Sequence, residues 1–543
     1  MKRNLIYNIF LALFLAISLG SCVNDLDVEP IDPSLDTADK VYTSQEAFYQ
    51  VLSKIYAGFA VSGQEGPSGD GDLGGFDEGH SQYWRAYFVC QELPTDEVVN
   101  GWADGDLPQV SQITWGANNG FIRQFYYRAL YQVSLANEFI RQANTYGTAE
   151  YTELPQYIAE ARFLRALSYW HAMDLFGNRI PFVTEDDPVG SYLPMPAGEE
   201  ARGPEMFNYI ESELLAIVGD AENDGQELLD AKQAMVGQAD KGAAWMILAK
   251  LYLNHAVYLG TENDEYYQKA QTYLDKIVNA GYRLMGSADV TTGDVYSPYE
   301  YLFLADNYKC NDEIIYSINY DGLLSKTYGG TTYIINASIG GDKMIPKDYG
   351  TSDNWGGNRT TKALVNKFAA DDGRALWFTD GQSLEIEDQT QFSQGYAVTK
   401  FKNRTRSGGY GANEGNSAFV DVNVPVFRLA DAYLMEAEVD LRLNGSVSAT
   451  SRSYLQLIAD RAGTTLPSSI DLDWVLDERA RELYWECHRR TDLVRFGKFT
   501  TDYNWPLKGN SLEGKDVDSK YNLMPIPFTD ITANPNLVQN PNY

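Results

Sequence analysis

The sequence predicts a mainly α-helical protein, a scaffold of tetratricopeptide-type helical hairpins carrying large loop-rich insertions. Three observations predict it. Apolar residues recur at helical spacing in several segments, as at Ala129, Val133, Ala136, Ile140 and Ala143. Small and bulky side chains alternate on these faces, and helical segments fall in pairs separated by short turns, although no repeat carries a complete signature. Between the helical blocks lie stretches rich in Gly, Asp, Asn and aromatics, over 62–119, 287–311 and 322–424. Loops of that size in a compact protein are usually functional.

The elements follow in chain order. Lys2 and Arg3 precede an apolar run, strongest over 11–19, that closes on Leu19, Gly20, Ser21 and Cys22. A run this short, ending in small residues, reads as a secretory signal over 1–21 rather than a spanning helix. Leu-Gly-Ser-Cys resembles a bacterial lipobox, which makes Cys22 the expected lipidation site. One acyl chain holds a protein only marginally, so two or three form a lasting anchor. Residues 22–45 are expected to be an acidic, Pro-containing tether. Acidic residues directly after the cysteine resemble the surface-export signal of Bacteroidetes lipoproteins and point to the cell surface.

The body is expected to divide into an N-terminal helical region, 46–310, and a C-terminal region, 311–543. Phe163, Leu167, Trp170 and Met173 continue the helical spacing, 241–258 is a strongly apolar helix, and Ala270, Tyr273, Leu274 and Ile277 form the next, stopped near Gly281. Later helices are expected over 425–443, 451–462 and 474–493, with Gly445, Gly463 and Gly497 as stops.

Composition excludes several function classes. A formal charge of −32 argues against nucleic acid and against docking flat on anionic lipid. With Cys22 lipidated, Cys90, Cys310 and Cys487 form neither a disulfide framework nor a zinc pattern. The histidines show no metal spacing, and His171 and His255, inside apolar helical stretches, are expected to be hydrogen-bonded interior residues. No cofactor is expected. Acidic loops such as 104–106 leave a structural Ca²⁺ open, without EF-hand spacing. The positive signal is aromatic: 38 Tyr and 10 Trp, which combine an apolar face with a polar handle.

Three motifs, taken in order, carry a family resemblance. They are Ala159-Glu160-Ala161-Arg162-Phe163-Leu164-Arg165-Ala166 with Leu175-Phe176-Gly177 and Pro181; Glu478-Arg479-Ala480-Arg481-Glu482-Leu483 with Arg489-Arg490-Thr491-Asp492-Leu493-Val494-Arg495-Phe496-Gly497; and Pro525-Ile526-Pro527 with Asn534-Pro535-Asn536-Leu537 and Gln539-Asn540-Pro541. Together with the lipobox they resemble the SusD-like (RagB/SusD) family over essentially the whole chain. The glutamates at 478, 482 and 486 and Arg490, spaced four apart, are expected to form ion pairs along one helix rather than a catalytic site.

The resemblance implies the SusD-like fold and a non-catalytic, outer-membrane capture protein. It would deliver oligosaccharide to a SusC-like TonB-dependent transporter and act as a lid over the barrel. The loop segments Gly79-His80-Ser81-Gln82-Tyr83-Trp84-Arg85, Glu92-Leu93-Pro94-Thr95-Asp96-Glu97, Gly101-Trp102, Thr327-Tyr328-Gly329-Gly330-Thr331-Thr332-Tyr333 and Gly350-Thr351-Ser352-Asp353-Asn354-Trp355 look most like the starch-binding branch. By that similarity Trp102, Tyr328 and Trp355 form an aromatic arc, while Asp77 and Arg85 hydrogen-bond sugar hydroxyls; Arg359 is a further loop candidate. A pyranose has an apolar C–H face that rests on such rings, and hydroxyls that need paired donors and acceptors. One departure stands out: the Asn that the starch-binding relatives carry shortly after this tryptophan is replaced here by Ala103, Asp104, Gly105 and Asp106. Alternatives are a SusD-like binder of another glycan or a peptide, a helical-repeat adaptor for protein partners, and a surface glycoside hydrolase. The last needs two carboxylates across the scissile bond, and with 75 acidic residues a candidate pair is uninformative.

Overall fold

The computed structural model describes residues 37–69, 71–190, 194 and 203–543. The expected signal segment, Cys22 and the expected tether up to residue 36 lie outside the described residues. The described part of the expected tether, 37–45, is not extended: a helical turn at Ala38–Val41 packs onto the body, with Tyr42 buried 4.9 Å from Phe48.

Helices pair as the periodicity predicts. Helix α1 (Gln45–Ala60) is capped by the Ser44 side chain. It lies on the hairpin of α2 (Gly120–Tyr146) and α3 (Leu154–Phe176). Asn119 starts α2 by accepting the N–H groups of Phe121 and Ile122, both at 3.1 Å, which satisfies donors that lack a helical partner. After α4 (Pro204–Ile217) comes the hairpin of α5 (Lys241–Leu253) and α6 (Asp264–Val278), capped by Asp240 and Asn263. Helix α6 also packs on α7 (Leu429–Asn444), which pairs with α8 (Ala449–Ala462) and α9 (Leu472–Leu483). The glycines at 445 and 463 take left-handed φ values of 68° and 72° and end α7 and α8 as expected. The regions expected at 46–310 and 311–543 share one continuous core running from Tyr42 to Leu537.

Two expected helices are redrawn. Residues 424–428 are a strand, Val424–Arg428, antiparallel to Ile314–Ile318, and the helix begins only at Leu429. The expected helix over 474–493 breaks between α9 and α10 (Arg489–Arg495), because Trp485 and Cys487 adopt φ of 66° and 65°. Side chains rarely accept that conformation, and buried carboxylates hold it. Glu97 accepts the Trp485 N–H at 2.9 Å, and Glu92 accepts that of Cys487.

The break redirects the charged motif. Glu482 accepts from Arg428 at 2.9 Å, Arg461 at 2.6 Å and Arg374 at 3.1 Å, while Glu486 binds Arg428 and Lys400. These pairs link separate elements, and Glu478 alone keeps a pair along the helix, with Arg481. The N-terminal motif is likewise internal. Arg165 reaches Asn137 and Glu213, and Glu160 is held by Tyr56, Gln156 and Gln238. The tail closes on the end of α3: the Asn540 amide donates to the carbonyls of Phe176 and Met524, both at 2.7 Å. Both interior histidines are hydrogen-bonded as expected, His171 to Tyr83 at 2.9 Å and His255 to Tyr252 and Asn263.

Candidate ligand-binding face

Two short helices inside the expected loops carry the site: Tyr83–Gln91, which bears Arg85, and Gly330–Ala337, which bears Tyr333. The Gln82 side-chain oxygen accepts from Arg85 N–H at 2.9 Å and from Gly330 N–H at 2.8 Å, tying the two helix starts together. Gly330 is required there. Its φ is 52°, and a Cβ would lie 2.3 Å from the Tyr320 ring.

Trp102 follows a two-residue strand, Val99–Asn100, that pairs antiparallel with Asn358–Arg359 and brings the 355–357 loop alongside. Its backbone N–H donates to Asn100 Oδ1 at 2.7 Å, and its indole N–H to the Trp355 carbonyl at 3.2 Å. The indole rests on Gly357, where a Cβ would fall 2.4 Å from the ring. The Trp355 indole N–H points to Asp353 at 3.4 Å, and its ring lies 6.1 Å from that of Tyr328 at 56°. Tyr328, 39% exposed, also packs 5.1 Å from Phe419.

Arg85 braces these rings from below. It is buried, its guanidinium lies 4.4 Å from the Tyr333 ring and 5.8 Å from that of Trp102, and Nη1 donates to the Tyr328 carbonyl at 3.0 Å. Burial lowers its pKa, opposed by the Tyr333, Asp77, Glu78 and Asp104 charges; a guanidinium stays protonated under such a shift. Nearby His80 is pushed down to about 4, by burial first and the Arg85 charge second, so it is neutral at physiological pH. Asp77 is exposed and accepts the His80 N–H at 3.2 Å.

The structure thus brings Trp102, Tyr328, Trp355, Arg85 and Asp77 into one neighbourhood. Arg359 is not part of its surface: it is fully buried and donates to the carbonyls of Gly357, Gln389, Gln391 and Gln394, bracing the 387–394 loop. The two aspartates after Trp102 also separate. Asp106 is occupied by Gly120 N–H and the Gln109 amide, whereas Asp104 is exposed within the field of Arg85. Among the described residues no group of three or more His, Cys, Asp or Glu is placed to hold a metal ion. Sequence reasoning missed Tyr333, Phe419 and Gln82. The apolar run 333–335 was the available signal for the first, obscured by neighbouring glycines and β-branched residues.

Comparison with known proteins sets this geometry in a family. A profile of the SusD family matches residues 381–543. The chain is 33% identical to the starch-binding protein SusD of Bacteroides thetaiotaomicron, with 100% of both chains covered. The chain belongs to the SusD family. Membership places it among non-catalytic binding proteins. A SusD-like protein of Bacteroides ovatus is 25% identical over 71% of this chain and 68% of its own. Among solved structures, surface glycan-binding protein A from Bacteroides thetaiotaomicron superposes with a TM-score of 0.69 at 18% identity, covering 93% of this chain and 100% of its own. The same protein in complex with laminarihexaose gives 0.67 at 18%, covering 92% and 99%. At that identity the likeness establishes the fold, including the helical-hairpin scaffold.

Proposed function

We propose that this chain is a cell-surface lipoprotein, anchored through Cys22 to the outer membrane, that captures oligosaccharide and passes it to a SusC-like TonB-dependent transporter. The ligand proposed is an α-glucan, starch or a maltooligosaccharide. One observation carries the reading: Trp102 meets Tyr328 and Trp355, more than two hundred positions further along the chain, around the buried Arg85. Rings tilted by 56° favour a ligand that bends between them, as a curved α-glucan does, over a straight chain. The identity to a protein named for starch binding supports the same class. Among the described residues no helix is long and apolar enough to cross a membrane; the proposed attachment rests on the lipobox-like Leu19-Gly20-Ser21-Cys22.

Titrating the purified protein with maltoheptaose, laminarihexaose and a mixed peptide pool tests the ligand class. Tight binding of maltoheptaose without release of shorter sugars is expected. Preference for laminarihexaose or peptide would replace the α-glucan reading, and released product would replace capture with hydrolysis.

A further inference from the structure

A cavity of about 760 Å³ opens beside the aromatic face and uses none of its residues. One wall is α1, which lines it with Tyr49 and Tyr56. Seven residues at the helical rise set these two about 10.5 Å apart along one face, room for a pyranose on each ring. Tyr56 is held rigidly, donating to Glu160 at 2.6 Å and accepting from Ala239 N–H at 3.0 Å. Tyr49 is 40% exposed. The lips are Met235 and Leu324, 66% and 87% exposed. The lining therefore mixes ring faces and aliphatic surface with fixed polar groups, the composition of a small-ligand site.

The cavity lies next to the aromatic face. Lys326 sits on its rim two positions before Tyr328, and its ammonium lies 6.0 Å from the Phe419 ring, which also packs against Tyr328. Lys326 makes no ion pair among the described residues, so its donors are available to hydroxyls. The two sites share a thin partition. Glu78 accepts from Ser62, from Thr327 at 3.0 Å and from Tyr328 N–H at 3.2 Å, and the Gln82 amide donates to the carbonyl of Phe59, a cavity residue, at 2.7 Å.

The geometry points to this cavity as a second carbohydrate subsite, in which a glucan too long for the aromatic face continues past Lys326 onto Tyr56 and Tyr49. The inference rests on the glycan-capture reading above. Maltotriose would occupy the aromatic face alone, whereas a long linear maltodextrin would engage both sites and bind more tightly.

Calorimetry with these two ligands on the full chain tests it, using Tyr49→Ala and Lys326→Ala, each checked by thermal melting. Both variants are expected to bind maltotriose like the parent and maltodextrin about fivefold more weakly, the effect of losing one ring or charged contact. Two variants guard against a folding defect in either. Unchanged maltodextrin affinity in both would overturn the subsite. Equal weakening for maltotriose would place these residues in the first site and overturn the division. A parent that binds maltotriose without gaining affinity for the longer chain would also reject the extension but leave capture standing. A parent that binds neither overturns the capture reading and this one with it.

Discussion

Beneath the C-terminal motif, Glu482 is fully buried and accepts from three arginines, while on the loop face a single buried cation, Arg85, lies under rings that reach solvent, Tyr328 at 39% exposure. Both regions are dense in charged and aromatic groups, and their sequences give little hint of how differently they are used. In the first, every charge is answered by another charge in a dry environment, so the ions hold separate helices and a strand in register. In the second, one buried cation lies under rings whose faces reach solvent. The comparison teaches that burial with full pairing marks the scaffold, and a braced aromatic surface that reaches solvent marks the candidate site.

The largest break in that comparison is Glu482→Ala. It removes the carboxylate that three guanidinium groups share, leaving Arg374 to Asp372 and Glu478, Arg428 to Glu313 and Glu486, and Arg461 to Glu313; losing one partner of a buried ion pair costs about 3–5 kcal/mol. Chemical denaturation is expected to show a loss of that size, and a loss within experimental error would mean that the network does not support the fold. On the other face, Gly357→Ala puts a methyl group into the Trp102 indole. Displacing an anchor ring is expected to weaken oligosaccharide binding about tenfold, or about 1.4 kcal/mol, with a smaller change in melting temperature. Full affinity in a folded variant would remove Trp102 from the site.

The scaffold also predicts a pH dependence. Burial, together with the Asp96 charge, raises Glu97 from its ordinary 4.5 to about 7, and burial with the neighbouring Glu97 raises Glu92 well above its ordinary value. A carboxyl raised by folding binds its proton more tightly in the folded state. Its contribution is therefore fully present below pH 4.5 and is lost as pH rises through about 7. Relative to the parent, Glu97→Gln is expected to flatten the fall of the urea midpoint between these values, and parallel curves would contradict it. The smallest expected effect is at Asp104→Ala, about threefold weaker binding if the exposed carboxylate makes a single hydrogen bond to a sugar hydroxyl; no change would mean that nothing replaces the Asn of the starch-binding relatives.

The sequence showed the scaffold more clearly than the site. Helical period and glycine stops are local signals, so α2, α3 and the ends of α7 and α8 could be read directly. The strand at Val424–Arg428 could not, because it forms only against Ile314–Ile318. The break at Trp485 and Cys487 depends on carboxylates almost four hundred positions away. Trp102, Tyr328 and Trp355 were found through family resemblance, and Gly-rich surroundings agreed with it. Arg359, a loop candidate outside that resemblance, shows the limit of reading loops: a loop arginine looks the same in sequence whether it meets a ligand or four backbone carbonyls.

The most direct test of the central claim is titration of maltoheptaose into the parent and Trp355→Ala by calorimetry, with melting curves to confirm the fold. If the aromatic face captures the glycan, affinity falls about thirtyfold, or about 2 kcal/mol, and the melting temperature stays close to that of the parent. Equal affinity in a folded Trp355→Ala protein would contradict the account and place the ligand elsewhere on the molecule.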